Sequence, residues 1–233
     1  MSAPIWAILV AAGAGRRLGE KLPKQYLPLA GRRMLEHSLA RLLDEPAVAG
    51  VVAVLAPGDI EWPKLRIAAR KPLLTASGGA ERADSVCAGL EAVIAQAGAE
   101  AWALVHDAAR PCLSAELLRD FIAKLRDDEV GGLLAVPARD TLKRARADGR
   151  AQETLEREGI WQAQTPQMFR AGALLQAYRA ARASGRTPTD DASVMELAGR
   201  APRLVRGSAD NFKVTLPEDL RLAALILSGR EKA

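Results

Sequence analysis

Apolar and polar positions along this chain fall into blocks, and the block lengths predict its elements. The apolar run from Ile5 to Val10, continuing into Ala11, has no polar position to turn towards water. That is the mark of a parallel strand covered on both faces. Met34, Leu35, Leu39, Leu42 and Leu43 then recur at helical spacing until Asp44-Glu45-Pro46 closes the helix. Val51 to Leu55 makes a second apolar run between Gly50 and Ala56, punctuated by Pro57-Gly58. Leu73-Leu74-Thr75 is a short strand candidate, and a long helix is predicted from Arg82 to about Ala97 with Val86, Leu90, Val93 and Ile94 on one face. Ala101 to Val105 is the next strand. Ser114 is placed to cap a helix with Glu116 in its first turn, running to about Leu125, and Leu133 to Val136 forms another strand.

This alternation predicts an α/β fold: a Rossmann-like, mostly parallel sheet with helices on both faces. Ligands of such sheets bind at the carboxyl ends of the strands. Three loops leave strand ends with glycine-rich or polar chemistry, namely Ala11 to Lys24, Ser77 to Ser85 and His106 to Arg110. The topology brings them to one site.

The pattern breaks between Arg139 and Gly159, which is strongly charged and has almost no core-forming residue. A coreless segment of about 20 residues is long for a connecting loop. It reads either as a surface excursion or as a β-hairpin arm turning at Asp148-Gly149. An arm cannot bury itself, so that reading calls for a second subunit. Residues 160–167 return to the body. Helices are predicted at Ala171 to Ala183 and, after a cap at Thr189 or Asp190, at Asp191 to Ala198. Leu204-Val205 and Phe212-Lys213-Val214 read as short strands, and Pro217 to Leu227 as a closing helix with proline at a first helical position. No repeat or linker divides residues 1–233.

Composition narrows the partners. Hydrophobic residues at 49% and charged residues at 26% suit a soluble globular protein. Aromatics at 4% leave little for stacking single-stranded nucleic acid, and the net charge of +5 is spread along the chain, as suits a small anionic substrate. No run reaches the roughly 18 apolar residues of a membrane span, and no basic segment precedes the first apolar run, so neither membrane nor secretion is expected. Cys87 and Cys112 lack metal or redox spacing, which suggests free thiols in a reducing cytoplasm. His37 and His106 are the only histidines, which excludes a histidine-rich metal cage.

The first loop carries the candidate chemistry. Gly13 and Gly15 allow close backbone approach, and Arg16, Arg17, Lys21 and Lys24 follow. Backbone donors and fixed cations suit a polyphosphate. Leu18 stands where a dinucleotide fingerprint needs its third glycine, and no Gly-Lys-Ser/Thr follows as a P-loop requires. A tight turn with a solvated basic flank is the plain alternative.

The chain resembles the 2-C-methyl-D-erythritol 4-phosphate cytidylyltransferase family over nearly its whole length. The resemblance rests on Ala11-Ala12-Gly13-Ala14-Gly15-Arg16-Arg17, Pro23 to Leu27, Glu81 to Val86, His106 to Pro111, Arg139-Asp140-Thr141, Gln164 to Gln167 and Asp210 to Thr215. The family often has aspartate where this chain has Ala80. The resemblance implies a single nucleotidyltransferase domain that moves a cytidylyl group from CTP to methylerythritol phosphate and releases pyrophosphate, with Mg2+ or another divalent cation. It implies Arg17 and Lys24 as transition-state stabilisers, and Arg157 and Lys213 as holders of the acceptor phosphate. CTP would be bound by Ala11, Ala12, Gly13, Ala14, Gly15 and Arg16, by Gly79, Ala80, Arg82 and Ser85, and by Ala108. Asp107, Arg110, Thr141 and Thr165 would contact the acceptor, and Asp107 would also serve the metal. A homodimer with shared sites follows if the arm delivers Arg157 to a neighbour.

The chemistry agrees. A phosphate monoester is largely dianionic at neutral pH, so the nucleophile needs no general base. The difficulty lies in bringing it to a triphosphate, which calls for cations and positioning. Other readings remain open: an enzyme for another polyol phosphate such as ribitol 5-phosphate, a sugar-1-phosphate nucleotidyltransferase, a non-catalytic nucleotide sensor, and a dehydrogenase. Arg157 and Lys213 would by default be solvated surface cations, Arg82 and Asp84 first-turn helix charges, and His106 a hydrogen-bonded structural residue.

Overall fold

The structure, a computed structural model, describes residues 3–13 and 22–230. Its first strand, β1 (Ile5–Ala11), lies inside the main sheet, flanked on one edge by the strand Val48–Leu55 and on the other by the strand Trp102–Asp107. A short hairpin, β2 (Pro28–Leu29) and β3 (Arg32–Arg33), precedes helix α1 (Met34–Asp44). Then come β4 (Val48–Leu55), β5 (Leu73–Ser77), α2 (Arg82–Ala97), β6 (Trp102–Asp107), α3 (Ala115–Leu125) and β7 (Gly131–Pro137). The arm strands β8 (Leu142–Ala145) and β9 (Ala151–Leu155) follow, then β10 (Trp161–Arg170), α4 (Ala171–Ala183), α5 (Asp191–Leu197), β11 (Arg203–Arg206) and α6 (Pro217–Arg230).

The main sheet runs β11-β7-β10-β6-β1-β4-β5. All neighbours pair in parallel except β10, which is antiparallel to both β6 and β7. The chain builds outward from β1 through β4 to β5, then crosses back to start β6 on the other side of β1. The order reverses between β1 and β6, and a ligand crevice belongs at the carboxyl ends of those two strands.

Both faces of β1 are covered, which is why no polar residue interrupts it. On one face Ala7 and Leu9 meet Leu35, Leu39 and Leu42 of α1 and Leu118, Phe121 and Leu125 of α3. On the other, Ile8, Val52 and Val105 meet Val86, Leu90 and Val93 of α2, with Tyr178 of α4 and Val194 of α5 in the same cluster. A smaller core joins Ala223 of α6 to Leu29, Met34, Cys112 and Val214. Helix ends follow their local chemistry. Ser114 Oγ accepts the Leu117 N–H at 3.1 Å, Asp190 Oδ1 accepts that of Ser193 at 2.8 Å, and Gly98 ends α2 at φ +82°. Asp190 is therefore the cap, rather than Thr189.

Three features depart from the expectations. Residues 212–214 form coil, not a strand: among the described residues Val214 N–H binds the Ala109 carbonyl at 2.8 Å and the Val214 carbonyl takes Lys24 Nζ, in place of a strand ladder. The return segment is a ten-residue strand, β10, running against its neighbours. Strand β6 also continues past Val105 to carry His106 and Asp107. The arm is a separate two-stranded hairpin, with Gly149 at φ +81° and its N–H on the Arg146 carbonyl. Asp148-Gly149 lies at its tip, as expected. Cys87 and Cys112 are both free. Among the described residues no helix is long and apolar enough to cross a membrane.

Candidate active site

The ends of β1 and β6 are in register, Val10 opposite Asp107, and Ala108 N–H binds the Val10 carbonyl at 3.1 Å. A cavity of about 550 Å³ opens there, lined by Ala11, Ala12, Gly13, Lys24, Gly79, Ala80, Arg82, Ser85, Asp107, Ala108 and Lys213, together with Val10, Gln25, Glu81, Ala109 and Thr215. All three loops read from the sequence therefore meet. Ala14, Gly15, Arg16 and Arg17 lie outside the described residues.

Lys24 opens a 3-10 turn, Lys24–Tyr26, that is pinned from both sides. The buried Gln25 amide donates to the Ala11 carbonyl at 2.7 Å, and Tyr26 Oη donates to Asp59 Oδ2 at 2.7 Å. Lys24 Nζ donates to the Val214 carbonyl at 3.0 Å, tying the first loop to the chain beside Lys213.

The second loop packs too closely for side chains. A Cβ on Gly78 would lie 2.5 Å from the Ala12 Cβ, and one on Gly79 would lie 2.3 Å from that of Asp84. Ser85 is buried; its hydroxyl donates to the Glu81 carbonyl at 3.2 Å and accepts the Gly79 N–H at 3.3 Å. With its proton committed, Ser85 can offer a ligand only an acceptor lone pair. Asp84 behaves as a first-turn helix charge, accepting the Glu81 N–H at 3.2 Å. Arg82 does not: it reaches across the molecule to Asp107 and Asp191.

Asp107 is the electrostatic centre. Lys213 Nζ lies 2.7 Å from its Oδ2, and Arg82 Nε lies 3.4 Å from its Oδ1. Burial pushes the carboxyl up, but Arg82, then Lys213 and Arg110 outweigh burial and hold it well below the usual carboxylate range. It stays ionised at neutral pH. Among the described residues no group of three His, Cys, Asp or Glu side chains could by itself hold a metal.

His106 supports this carboxylate from behind. Its Nε2 lies 3.2 Å from the Arg110 carbonyl, which can only accept, so Nε2 is assigned the proton. Nδ1 then accepts from the Thr165 hydroxyl at 3.0 Å, while Thr165 Oγ1 accepts the Asp107 N–H at 3.1 Å. Thr165 is buried, lines neither cavity described here, and spends its proton on His106. Burial lowers the imidazole pKa from 6.5 to about 4. Between those values the unfolded chain takes a proton that the folded one refuses. The stabilisation is thus complete above pH 6.5 and is lost as pH falls towards 4, about 3 kcal/mol in all. Urea unfolding at pH 7 and pH 5 should show a smaller acid-induced loss for His106→Asn than for the wild type. Equal losses would mean that another group carries the acid sensitivity.

A second cavity, of about 470 Å³, adjoins the root of the arm and is lined by Arg110, Arg139, Asp140, Leu142, Gln162, Gln164, Phe212 and Lys213, among others. Lys213 lines both cavities. Arg110 is braced by Nη1 to the Asn211 carbonyl at 2.7 Å, and its buried Nε has no partner among the described residues. Thr141 and Arg157 are exposed and line neither cavity; Arg157 Nη1 donates to its own chain's Arg139 carbonyl.

The family model for 2-C-methyl-D-erythritol 4-phosphate cytidylyltransferase matches residues 5–229. The chain belongs to this family. It is 55% identical over 221 residues to the 2-C-methyl-D-erythritol 4-phosphate cytidylyltransferase of Ectopseudomonas mendocina (strain ymp), covering 94% of each chain. Its fold is similar to a crystal structure of 4-diphosphocytidyl-2C-methyl-D-erythritol synthase, with TM-score 0.86 and 36% identity, covering 97% of this chain and 100% of that one. The Francisella tularensis 2-C-methyl-D-erythritol 4-phosphate cytidylyltransferase superposes with TM-score 0.83 at 32% identity, covering 96% and 100%. As a family member the chain is a nucleotidyltransferase of isoprenoid biosynthesis. Gln25, Gln164, Tyr178, Asp191 and Asn211 were not assigned from the sequence. Gln25, Gln164 and Asn211 lie inside family-like motifs, but nothing local marks Asp191 as a partner of Arg82.

Proposed function

We propose that the protein transfers CMP from CTP to 2-C-methyl-D-erythritol 4-phosphate, giving 4-diphosphocytidyl-2-C-methyl-D-erythritol and pyrophosphate. The observation that carries this reading is Lys213 at the boundary of two cavities. One has the glycine-loop and cation chemistry of a nucleotide site; the other has Arg110 and Lys213 for an anionic polyol. A cation at that boundary can draw an acceptor phosphate towards the α-phosphate.

The acceptor phosphate attacks the α-phosphorus, a new P–O bond forms, and the bond to the β-phosphate oxygen breaks with pyrophosphate as leaving group. Lys24, together with Arg17, stabilises charge on the crowded α-phosphate. Lys213 and Arg157 hold the nucleophile, with Arg110 and Thr141 as the acceptor's other partners; Thr165, buried between His106 and the Asp107 N–H, serves the acceptor by fixing Asp107. Gly79, Ala80, Arg82, Ser85 and Ala108 hold the nucleotide with the first loop, and a lone-pair acceptor at Ser85 suits an amine edge such as cytosine's.

Asp107 fits Mg2+ as a single hard oxygen donor, since this ion is commonly held by one or two carboxylates plus substrate phosphates. When bound, Mg2+ neutralises charge on the triphosphate. The Lys213 contact to Asp107 would then have to loosen, leaving Lys213 for the acceptor.

The exposed arm supports a homodimer in which Arg157 of each subunit serves the other's site. The two free thiols support a cytoplasmic enzyme. Parallel assays of pyrophosphate release from CTP with 2-C-methyl-D-erythritol 4-phosphate and with ribitol 5-phosphate decide the acceptor. Turnover is expected with the first; turnover with ribitol 5-phosphate alone would move the assignment to that acceptor.

A further inference from the structure

Arg82 opens α2 at the rim of the nucleotide cavity, yet its guanidinium is held from the far side. Nη1 lies 3.0 Å from Asp191 Oδ1 and Nη2 lies 2.9 Å from Oδ2, a fork-to-fork pair. Asp191 is fully buried, and Tyr178 Oη donates to its Oδ1 at 2.5 Å. Neither Asp191 nor Tyr178 lines the cavity. Asp191 is itself fixed by its neighbours. Asp190 caps α5, the buried Gln167 amide donates to Asp190 Oδ2 at 2.8 Å, and Gln167 Oε1 accepts the Ala192 N–H at 2.7 Å.

We propose that Asp191, assisted by Tyr178, is a positioning residue of the nucleotide site that acts through Arg82. This rests on the transfer reaction proposed above. The physical argument is a competition between two carboxylates for one guanidinium. By taking both Nη atoms, Asp191 leaves only the Nε edge for Asp107, at 3.4 Å. Without Asp191, the flexible arginine is free to close on Asp107 with its full fork, the geometry that guanidinium and carboxylate favour. That would occupy the carboxylate assigned to the metal and the acceptor, and withdraw the arginine's charge from the nucleotide cavity.

The test is a double-mutant cycle of Asp191→Asn and Arg82→Ala. It is read by kcat/KM for CTP, by CTP affinity in calorimetry and by Tm. Asp191→Asn should lower kcat/KM and CTP affinity by about tenfold, the coupling typical of contacting residues. In the Arg82→Ala background the same substitution should cost nothing further. An equal loss in both backgrounds, or a lower Tm with CTP affinity unchanged, would show a purely structural role and overturn the proposal. Tyr178→Phe, which keeps the ion pair, should give a smaller loss in the same direction and likewise none without Arg82. It decides the question if Asp191→Asn does not fold; no effect of Tyr178→Phe would then overturn the proposal. If the wild type transfers nothing to the acceptor, the reaction assignment fails by itself, and calorimetry with CTP still runs the cycle.

Discussion

Replacing Lys24 by alanine is expected to cut kcat by about 10²–10³ while leaving CTP affinity nearly intact, as losing a preorganised charge on a transition state does. The turn that carries Lys24 is immobilised by Gln25 on the Ala11 carbonyl and by Tyr26 on Asp59, so its ammonium is delivered by the fold. Lys24 Nζ donates to the Val214 carbonyl at 3.0 Å, which fixes the ammonium where Lys24 lines the nucleotide cavity. A cation fixed in place beforehand meets the negative charge that builds up on the α-phosphate without reorganising. Removing it therefore subtracts more from the transition state than from bound CTP. Because Gln25 and Tyr26 keep their own contacts, the fold should survive, with a Tm close to that of the wild type. Arg17→Ala is expected to behave alike. Steady-state kinetics check both variants: a normal kcat with a raised KM would assign the charge to ground-state binding instead.

The second large effect is a recovery of activity. Lys24→Ala and Arg157→Ala proteins, each nearly inactive, are to be mixed in equal amounts, unfolded and refolded together. The hairpin from Leu142 to Leu155 stands outside the main sheet, and most of its side chains are exposed. Arg157, just beyond it, lines neither cavity of its own chain. If the arm crosses a two-fold axis, each heterodimer has one site with both lesions and one with neither. Random pairing makes half the dimers mixed, so about a quarter of the activity should return. If Arg157 serves its own subunit, every site keeps one lesion and nothing returns. Activity at the mutant baseline, with heterodimers demonstrated by mass, would falsify the shared site.

The elements of this protein were legible because they depend on local patterns. Uninterrupted apolar runs mark strands covered on both faces, so β1 and β4 could be found from Ile5 to Ala11 and Val51 to Leu55 alone. Apolar spacing located α1 and α2, and Ser114 announced a helix start through a bond spanning three residues. The arm was visible as an absence of apolar residues, and its turn as Asp148-Gly149. The convergence of three loops followed from alternation, since parallel strands place all their carboxyl ends on one edge of the sheet.

Tertiary structure decided what depends on partners far along the chain. The direction of β10 is set by pairing with β6 and β7 across the sheet, and nothing within Trp161 to Arg170 encodes it. Residues 212–214 look like a strand by composition but are held as coil, because Val214 is drawn to Ala109 and Lys24 rather than into a ladder. Asp107 could be named from its place after a strand. That it stays ionised required Arg82 and Lys213, 25 and 106 residues away. Arg82 looked as much like a helix-start charge as a ligand contact until Asp191, 109 residues on, was seen to grip it. Charges act through space, and a carboxylate's environment is composed of whatever the fold sets beside it.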